Sequence, residues 1–421
     1  MDGLTRHFGI RFPEPVRDPI WKNILLPAEF LPVIDSPEFV QLSRIHQLGP
    51  AHLVYPGATH TRRAHSLGVF EMAKRLLGSL ADEELPAVID EAGARSFLMA
   101  ALCHDLGHFP YAHSLKELPL TDHEELTARV VTGPLYGVIC ASGADPGMVA
   151  AIVDETQPGG GEALSLFRRL LSGVLDPDKL DYLNRDAWAC GVPYGVQDVD
   201  FILQHVGLDD SGRPGVDERG VMAVESVLFS KYQMYRAVYW HRSVRAATAM
   251  IKKAVAAALA SEAVKPEDLY GLDDPGFYER MGNHERDPSG LIASVRRGAL
   301  LRTCYEAPFD AELPLHASAG NLSLRPGLEA ELCRAIGSRG GTGGNTAAVI
   351  IDLPEPISFE SDLPVLGTGM SFSEYATVFR PGVVSSFARA LRVLRVFTDA
   401  DPVAVSGIVA EALGGIKKNA S

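Results

Sequence analysis

Residues 103–113 read CHDLGHFPYAH and follow the apolar run RSFLMAAL at 95–102. That spacing predicts a helix over 95–106 closed by Gly107. A helix this apolar belongs in the centre of a domain, which would put His104 and Asp105 deep in a cleft. A lone His65 stands upstream in RRAHSLG, and a carboxylate, Asp178, stands downstream in LDPDKLDYLNRD. Two imidazoles and two carboxylates, His65, His104, Asp105 and Asp178, make a mixed nitrogen and oxygen set for a divalent metal. Ligand type leaves its identity open among Mg, Mn, Fe, Co, Ni and Zn. Such an ion polarises a phosphoryl oxygen, so phosphoester hydrolysis is the first reaction to consider.

Outward from this stretch the chain reads as mainly helical to about residue 260. Helices are expected at 37–48, 64–80, 123–131, 162–173 and 178–190, with one long pattern from 222 to 260. Prolines 13, 15, 19, 27 and 32 mark an extended or turn-rich entry. After 261 Gly, Pro and Asp become frequent, with a strand-like run at 346–354 and helices at 327–336 and 384–396. The expected organisation is a helical domain over 1–261 and a smaller C-terminal α+β region over 262–421. The run SRGGTGGN at 338–345 lacks the GK[ST] ending of a phosphate loop and follows a helix, so it reads as a connection.

The fourth ligand is a choice among Asp176, Asp178 and Asp181. Asp178, Tyr182 and Asp186 share one helical stripe flanked by Lys179, which favours Asp178, whereas Asp181 and Arg185 form an i,i+4 ion pair. Six of the thirteen histidines fall between residues 60 and 123. His108, His113 and His123 are too many for one ion's ligands, and imidazole suits the proton donor that a leaving alkoxide needs. Glu124 follows His123 directly and could tune it.

Composition narrows the setting. A net charge of −14 argues against broad nucleic-acid affinity. Five scattered cysteines without CxxC spacing read as reduced thiols, consistent with a cytoplasmic protein. No signal-peptide apolar core and no run near the roughly 18 apolar residues of a membrane span is found. A soluble protein is expected.

The segments IDSPEFVQLSRIHQLG, YPGATHTRRAHSLGV, CHDLGHFPYAH, DHEEL, DPDKLDYLNRDAWACGV and MYRAVYWHRSV, in this order, resemble the HD-domain deoxynucleoside triphosphate triphosphohydrolases. The resemblance covers roughly residues 15–260 and is more specific than the bare doublet. It implies an HD-type helical fold, a dNTP substrate, a divalent metal, a homo-oligomer and a nucleotide effector. By position it puts His65, His104, Asp105 and Asp178 on the metal, and His108, His113 and His123 beside the triphosphate. Arg62 and Lys179 fall on phosphate-binding cations. Gln47 and Asp186 fall on groups for the sugar 3′-hydroxyl, with Tyr182 beside them, and Tyr239 falls on an aromatic under the sugar.

Several positions depart from the animal enzymes of that family. Ala64 replaces an acidic residue, Lys231 an arginine, and Trp240 a polar residue. Ser43 and Arg17 fail to match the regulatory nucleotide site, so activation by guanine nucleotides is not expected. The reading is hydrolysis of dNTP to deoxynucleoside and triphosphate. Its rivals are an HD phosphohydrolase for nucleoside monophosphates or cyclic nucleotides, and a non-catalytic nucleotide sensor.

Overall fold

The computed structural model describes residues 3–81, 85, 89–339, 348–357, 359 and 363–413. Most of the glycine-rich run at 338–345 lies outside them.

The fold is mainly α. Its first core is built by the helices Arg62–Ala81, Glu91–Cys103, Pro177–Cys190 and Val221–Met234. Local chemistry sets their ends. Asp90 caps the second helix by accepting from Gly93 N at 2.7 Å, and every residue from Gly93 to Cys103 is buried. A helix apolar on all sides has no solvent face, so it sits in the middle. Asp176 caps the third by accepting from Lys179 N at 2.7 Å, Pro177 follows, and Gly191 at φ 67° ends it. These are the expected start and stop residues of a helix. A hairpin, Glu14–Asp18 with Lys22–Leu26, occupies the proline-marked entry.

The second core packs the Arg242–Ala260 helix against Asp274–Met281, Leu291–Arg296 and the turn carrying Phe109 and Leu115. A three-stranded antiparallel sheet, ordered Arg302–Pro308, Val393–Thr398, Val349–Asp352, adds Ile350 and Phe397 to it. The later chain also enters the first core: Pro364–Val365 pairs with Pro214–Val216, and Phe372 and Phe379 are buried there. Among the described residues no helix is long and apolar enough to cross a membrane.

Three expected helices change character. The helix over 37–48 ends as a 3-10 turn at Leu42–Arg44, and Ile45 is extended. Residues 45–47 instead pair with 60–62, Gln47 N donating to His60 O and Arg62 N to Ile45 O, each at 3.0 Å. The long pattern at 222–260 is interrupted by a π-helical turn, Tyr235–Tyr239, and a break at Trp240–His241. Tyr55 OH donates to Ala237 O at 2.7 Å within that turn. The helix over 384–396 stops at Leu391, and Val393–Thr398 becomes the central strand because both its neighbours hydrogen-bond to it.

Candidate active site

The doublet lies at the end of the central helix. Cys103 is its last residue, His104 is the cap, and Asp105 begins a tight turn. Gly107 makes the turn possible, because a Cβ there would lie 2.2 Å from His123 O and 2.4 Å from Thr127 N. Only glycine allows that backbone approach. Thr127 Oγ1 closes the junction, accepting from Gly107 N at 2.8 Å and donating to His104 O at 3.0 Å.

His65, His104 and Asp178 each present a potential ligand atom, all within 4.8 Å of one another. Asp105 adjoins them, its Oδ1 3.3 Å from His104 Nε2. His65 Nδ1 donates to Asp181 Oδ2 at 2.8 Å, leaving Nε2 2.9 Å from Asp178 Oδ1. His104 Nδ1 donates to Ala101 O at 2.9 Å, leaving Nε2 on the Asp105 side. Both rings are thus fixed through one nitrogen with the other turned inward, the arrangement that metal-ligating histidines adopt. The donor set fits a divalent ion.

The three candidate aspartates on the third helix separate by their partners. Asp176 caps the helix and holds Lys179 Nζ at 2.5 Å. Asp181, fully buried, accepts from His65, from Arg185 Nε and Nη2 at 2.8 Å, and from Trp21 Nε1 at 2.5 Å. Asp178 is 42% exposed and faces the cavity. Asp181 is therefore more than the partner of an ion pair, since it also orients His65. Burial opposes protonation of His65, but Asp178 and Asp181 outweigh it and raise its pKa to about 10.

A second group, His108, His113 and His123, lies beside the first. The rings of His108 and His123 stack at 3.8 Å, and His113 completes the trio at 4.6 and 4.9 Å. His108 is buried with neither ring nitrogen hydrogen-bonded, although Nε2 comes within 3.2 Å of Asp105 Oδ1. These three can also hold an ion by spacing. Their electrostatics run opposite to those of His65. Burial, then the Arg62 charge, pushes His113 down to about 4, and burial with neighbouring imidazoles holds His123 well below its usual range. Arg62 Nη1 donates to Asp105 Oδ2 at 2.7 Å, and its Nε is buried without a partner.

One cavity of about 870 Å³ is lined by His65, His104, Asp105 and Asp178 at one end. Gln47, Arg62, His113, His123, Lys179, Tyr182, Asp186 and Tyr239 also line it, so nearly all the candidate residues meet there. His108 lies behind this wall. Tyr239 OH donates to Asp186 Oδ2 at 2.7 Å, and His60 Nε2 donates to Asp186 Oδ1 at 2.8 Å. Gln47 Oε1 is buried with no hydrogen-bond partner. Lys179 Nζ is held by Asp176 and by Gly173 O at 2.8 Å. Lys231 lies 5.6 Å from the Phe359 ring centroid, and Trp240 is nearly buried on the cavity wall. Ser43 and Arg17 are engaged locally, with Val40 O and Asn23 Oδ1.

Sequence reasoning passed over His60, Asp18 and Trp21. Arg185 Nη1 donates to Asp18 Oδ2 at 2.8 Å, so Asp18 and Trp21 reach the His65 support from the N-terminal hairpin. No spacing rule connects residues so far apart in the chain. His60 carried a weak signal, as one of the six clustered histidines.

An HD domain model matches residues 62–134, and an HD-associated region model matches 198–377. The chain is 34% identical over 263 residues to MJ1154, an uncharacterized protein of Methanocaldococcus jannaschii, covering 62% of this chain and 53% of that protein. It is 33% identical over 241 residues to the uncharacterized protein YwfO of Bacillus subtilis, covering 56% and 54%. The chain thus spans about half the length of these curated relatives. A shorter stretch of 98 residues is 41% identical to the human deoxynucleoside triphosphate triphosphohydrolase SAMHD1, covering 23% of this chain and 16% of that protein. Among solved structures, a hypothetical protein of Aquifex aeolicus superposes with a TM-score of 0.70 at 23% identity, covering 96% of this chain and all of that one. A phosphohydrolase of Bacteroides thetaiotaomicron gives 0.68 at 20% identity, covering 91% and 98%. The chain carries an HD domain with an HD-associated region.

Proposed function

We propose that the protein is a metal-dependent phosphohydrolase that cleaves deoxynucleoside triphosphates to deoxynucleoside and inorganic triphosphate. The observation that carries this reading is one cavity joining a metal-type donor set to a hydroxyl-recognition set. The first is His65, His104, Asp105 and Asp178, and the second is Gln47, Asp186 and Tyr239. Held by the first set, a divalent ion supplies Lewis-acid polarisation of a phosphoryl oxygen.

The chain's own residues do the rest. Arg62, fixed by Asp105, turns its charge toward the cavity and offsets charge that builds on the phosphate. Gln47 Oε1, buried without a donor, accepts the proton of a sugar hydroxyl beside Asp186. Lys179 exchanges its bond with Asp176 for a phosphate oxygen. In the ligand-free protein Arg62 helps keep His113 neutral. A polyanion beside Arg62 counters that charge, so substrate raises the proton affinity of His113, which protonates the leaving 5′-oxygen. The aromatic Tyr239, tied to Asp186, closes the sugar side against a 2′-hydroxyl.

The test is incubation with each of the four dNTPs and their ribonucleotide counterparts in Mg, Mn or Co, with chromatography of both products. Deoxynucleoside and triphosphate are expected. Release of orthophosphate, or hydrolysis of monophosphates instead, would replace the substrate assignment, and no turnover would leave a nucleotide sensor. Curated deoxynucleoside triphosphate triphosphohydrolases match only 23% of this chain, so the proposed substrate draws its support from the cavity.

A further inference from the structure

The metal-type donors and His113 are mounted on different cores. The helix that ends at His104 is buried in the first core. The turn after the doublet is not: Phe109, Ala112, Leu115 and Leu118 belong to the second, with the Arg242–Ala260 helix, Phe277 and Val295. His113 rides on this turn and is exposed to the cavity.

The turn is pinned by side chains from the later half of the protein. At one end Tyr111 takes a left-handed conformation, φ 66°, and its hydroxyl meets Tyr278 OH at 2.5 Å. That backbone region is strained for a tyrosine, so outside contacts must hold it. At the other end Glu117, one helical turn beyond His113, is paired with Lys252 and with Arg325. Arg325 is 95% buried, its relative exposure being 5%. Its Nη2 donates to Glu117 Oε1 at 3.2 Å, its Nη1 to Oε2 at 3.4 Å, and its Nε to Ala319 O at 2.7 Å. Arg325 starts the Arg325–Arg339 helix, more than 200 residues along the chain from the turn it holds.

We infer that Arg325, acting through Glu117, is a positioning residue that sets His113 against the rest of the site, coupling the C-terminal region to the chemical step. The inference rests on the proposed role of His113. Neither Arg325 nor Glu117 lines the cavity, so both act only through what they hold.

Arg325→Met keeps bulk and removes the fork, Arg325→Lys keeps the charge, and Glu117→Gln removes the acceptor's charge. Misplacing a reacting group by about 1 Å costs on the order of 100-fold. Arg325→Met and Glu117→Gln are therefore expected to lower kcat by about 10- to 100-fold, with KM and bound metal unchanged. Arg325→Lys should regain most of the loss, and the Met/Gln double variant should be no worse than Arg325→Met, as for two residues in one interaction. Hydrogen exchange read by mass spectrometry on the full chain should speed up at 109–119 and stay unchanged at 94–106.

Unchanged exchange at 109–119 in both Arg325→Met and Glu117→Gln overturns the inference. So does unchanged kcat, or a loss spread equally over kcat, KM and both segments. If the wild type hydrolyses no dNTP, the functional proposal fails by itself, and the exchange comparison decides whether Arg325 holds the turn.

Discussion

Asp181 offers the sharpest test of how the metal-type site is supported. Its two oxygens accept four hydrogen bonds, from His65, Trp21 and twice from Arg185, with no exposure to solvent. Asp181→Ala strips all four at once. Arg185, 2% exposed, would keep only Asp18, leaving a guanidinium short of half its compensation. Breaking a buried pair from one side costs about 3–5 kcal/mol, a large part of the roughly 5–15 kcal/mol that holds a domain. Asp181→Asn is the cleaner perturbation, because the shape remains while one oxygen becomes a donor facing Arg185 or His65. That should cost about 1–3 kcal/mol and, through the loosened His65, about 10- to 100-fold in metal affinity. Asp178→Asn should do the reverse. Its side chain is 42% exposed and Asp181 still holds His65, so stability should move less than in Asp181→Asn while metal binding collapses. The assay is urea denaturation in chelator, paired with Mn(II) titration of the folded proteins. An Asp181→Asn protein that binds Mn(II) like the wild type and unfolds at the same urea concentration would refute the supporting role.

Three further outcomes are expected. Gly107→Ala, whose Cβ would meet His123 O at 2.2 Å, should destabilise by about 1–3 kcal/mol and lower kcat by displacing His123, as read by thermal melting and product assay; equal melting and activity would mean the turn has slack. In the metal-free protein His65 has a pKa of about 10, above the 6.5 of an unfolded chain, so its stabilisation is complete below pH 6.5 and is lost as pH rises toward 10. A metal must displace that proton, so Mn(II) affinity should rise with pH from 6 to 8, by up to about tenfold per unit, and a flat profile would count against His65 as a ligand. Tyr239→Phe should free one oxygen of Asp186 yet keep the ring, preserving the deoxy-over-ribo preference in kcat/KM, whereas Tyr239→Ala should narrow it; a preference that persists in Tyr239→Ala assigns sugar selection elsewhere.

What could be read from the chain and what could not divide along a physical line. The central helix and the stripe from Asp178 to Asp186 depend on neighbours within a few turns and periodicity reports these directly, although the helix ends at Cys103 with His104 as its cap rather than at Gly107. The unread features depend on partners far away. Ile45 is extended because residues 60–62 offer backbone bonds, overriding a helical pattern that continued to Leu48. The π-helical turn at Tyr235–Tyr239 keeps the composition of the helices around it, and the hydroxyl bonded inside it comes from Tyr55. Val393–Thr398 reads as helix-compatible until two strands flank it. For Asp181 the local pair with Arg185 was visible, but Trp21 and His65, which give it a second role, were not.

The site also divides its imidazoles electrically, and this division bears on how one cavity could serve both a cation and a proton. His65 is surrounded by Asp178 and Asp181 and favours positive charge at that end. His108, His113 and His123 crowd one another near Arg62, and their enclosure in the site disfavours their charged forms, most of all at the buried His108. Asp105 stands between, touching His104 and His108 with one oxygen and Arg62 with the other, and these contacts hold it ionised against burial. Environments that push like groups apart are how one site assigns different roles to the same side chain. Here the carboxylate-rich end suits a metal in place of the His65 proton. On the proposed reading, an anion that offsets Arg62 favours a proton on the trio. The two halves therefore favour opposite charges, a cation at the carboxylate end and, on the proposed reading, a phosphate chain beside Arg62.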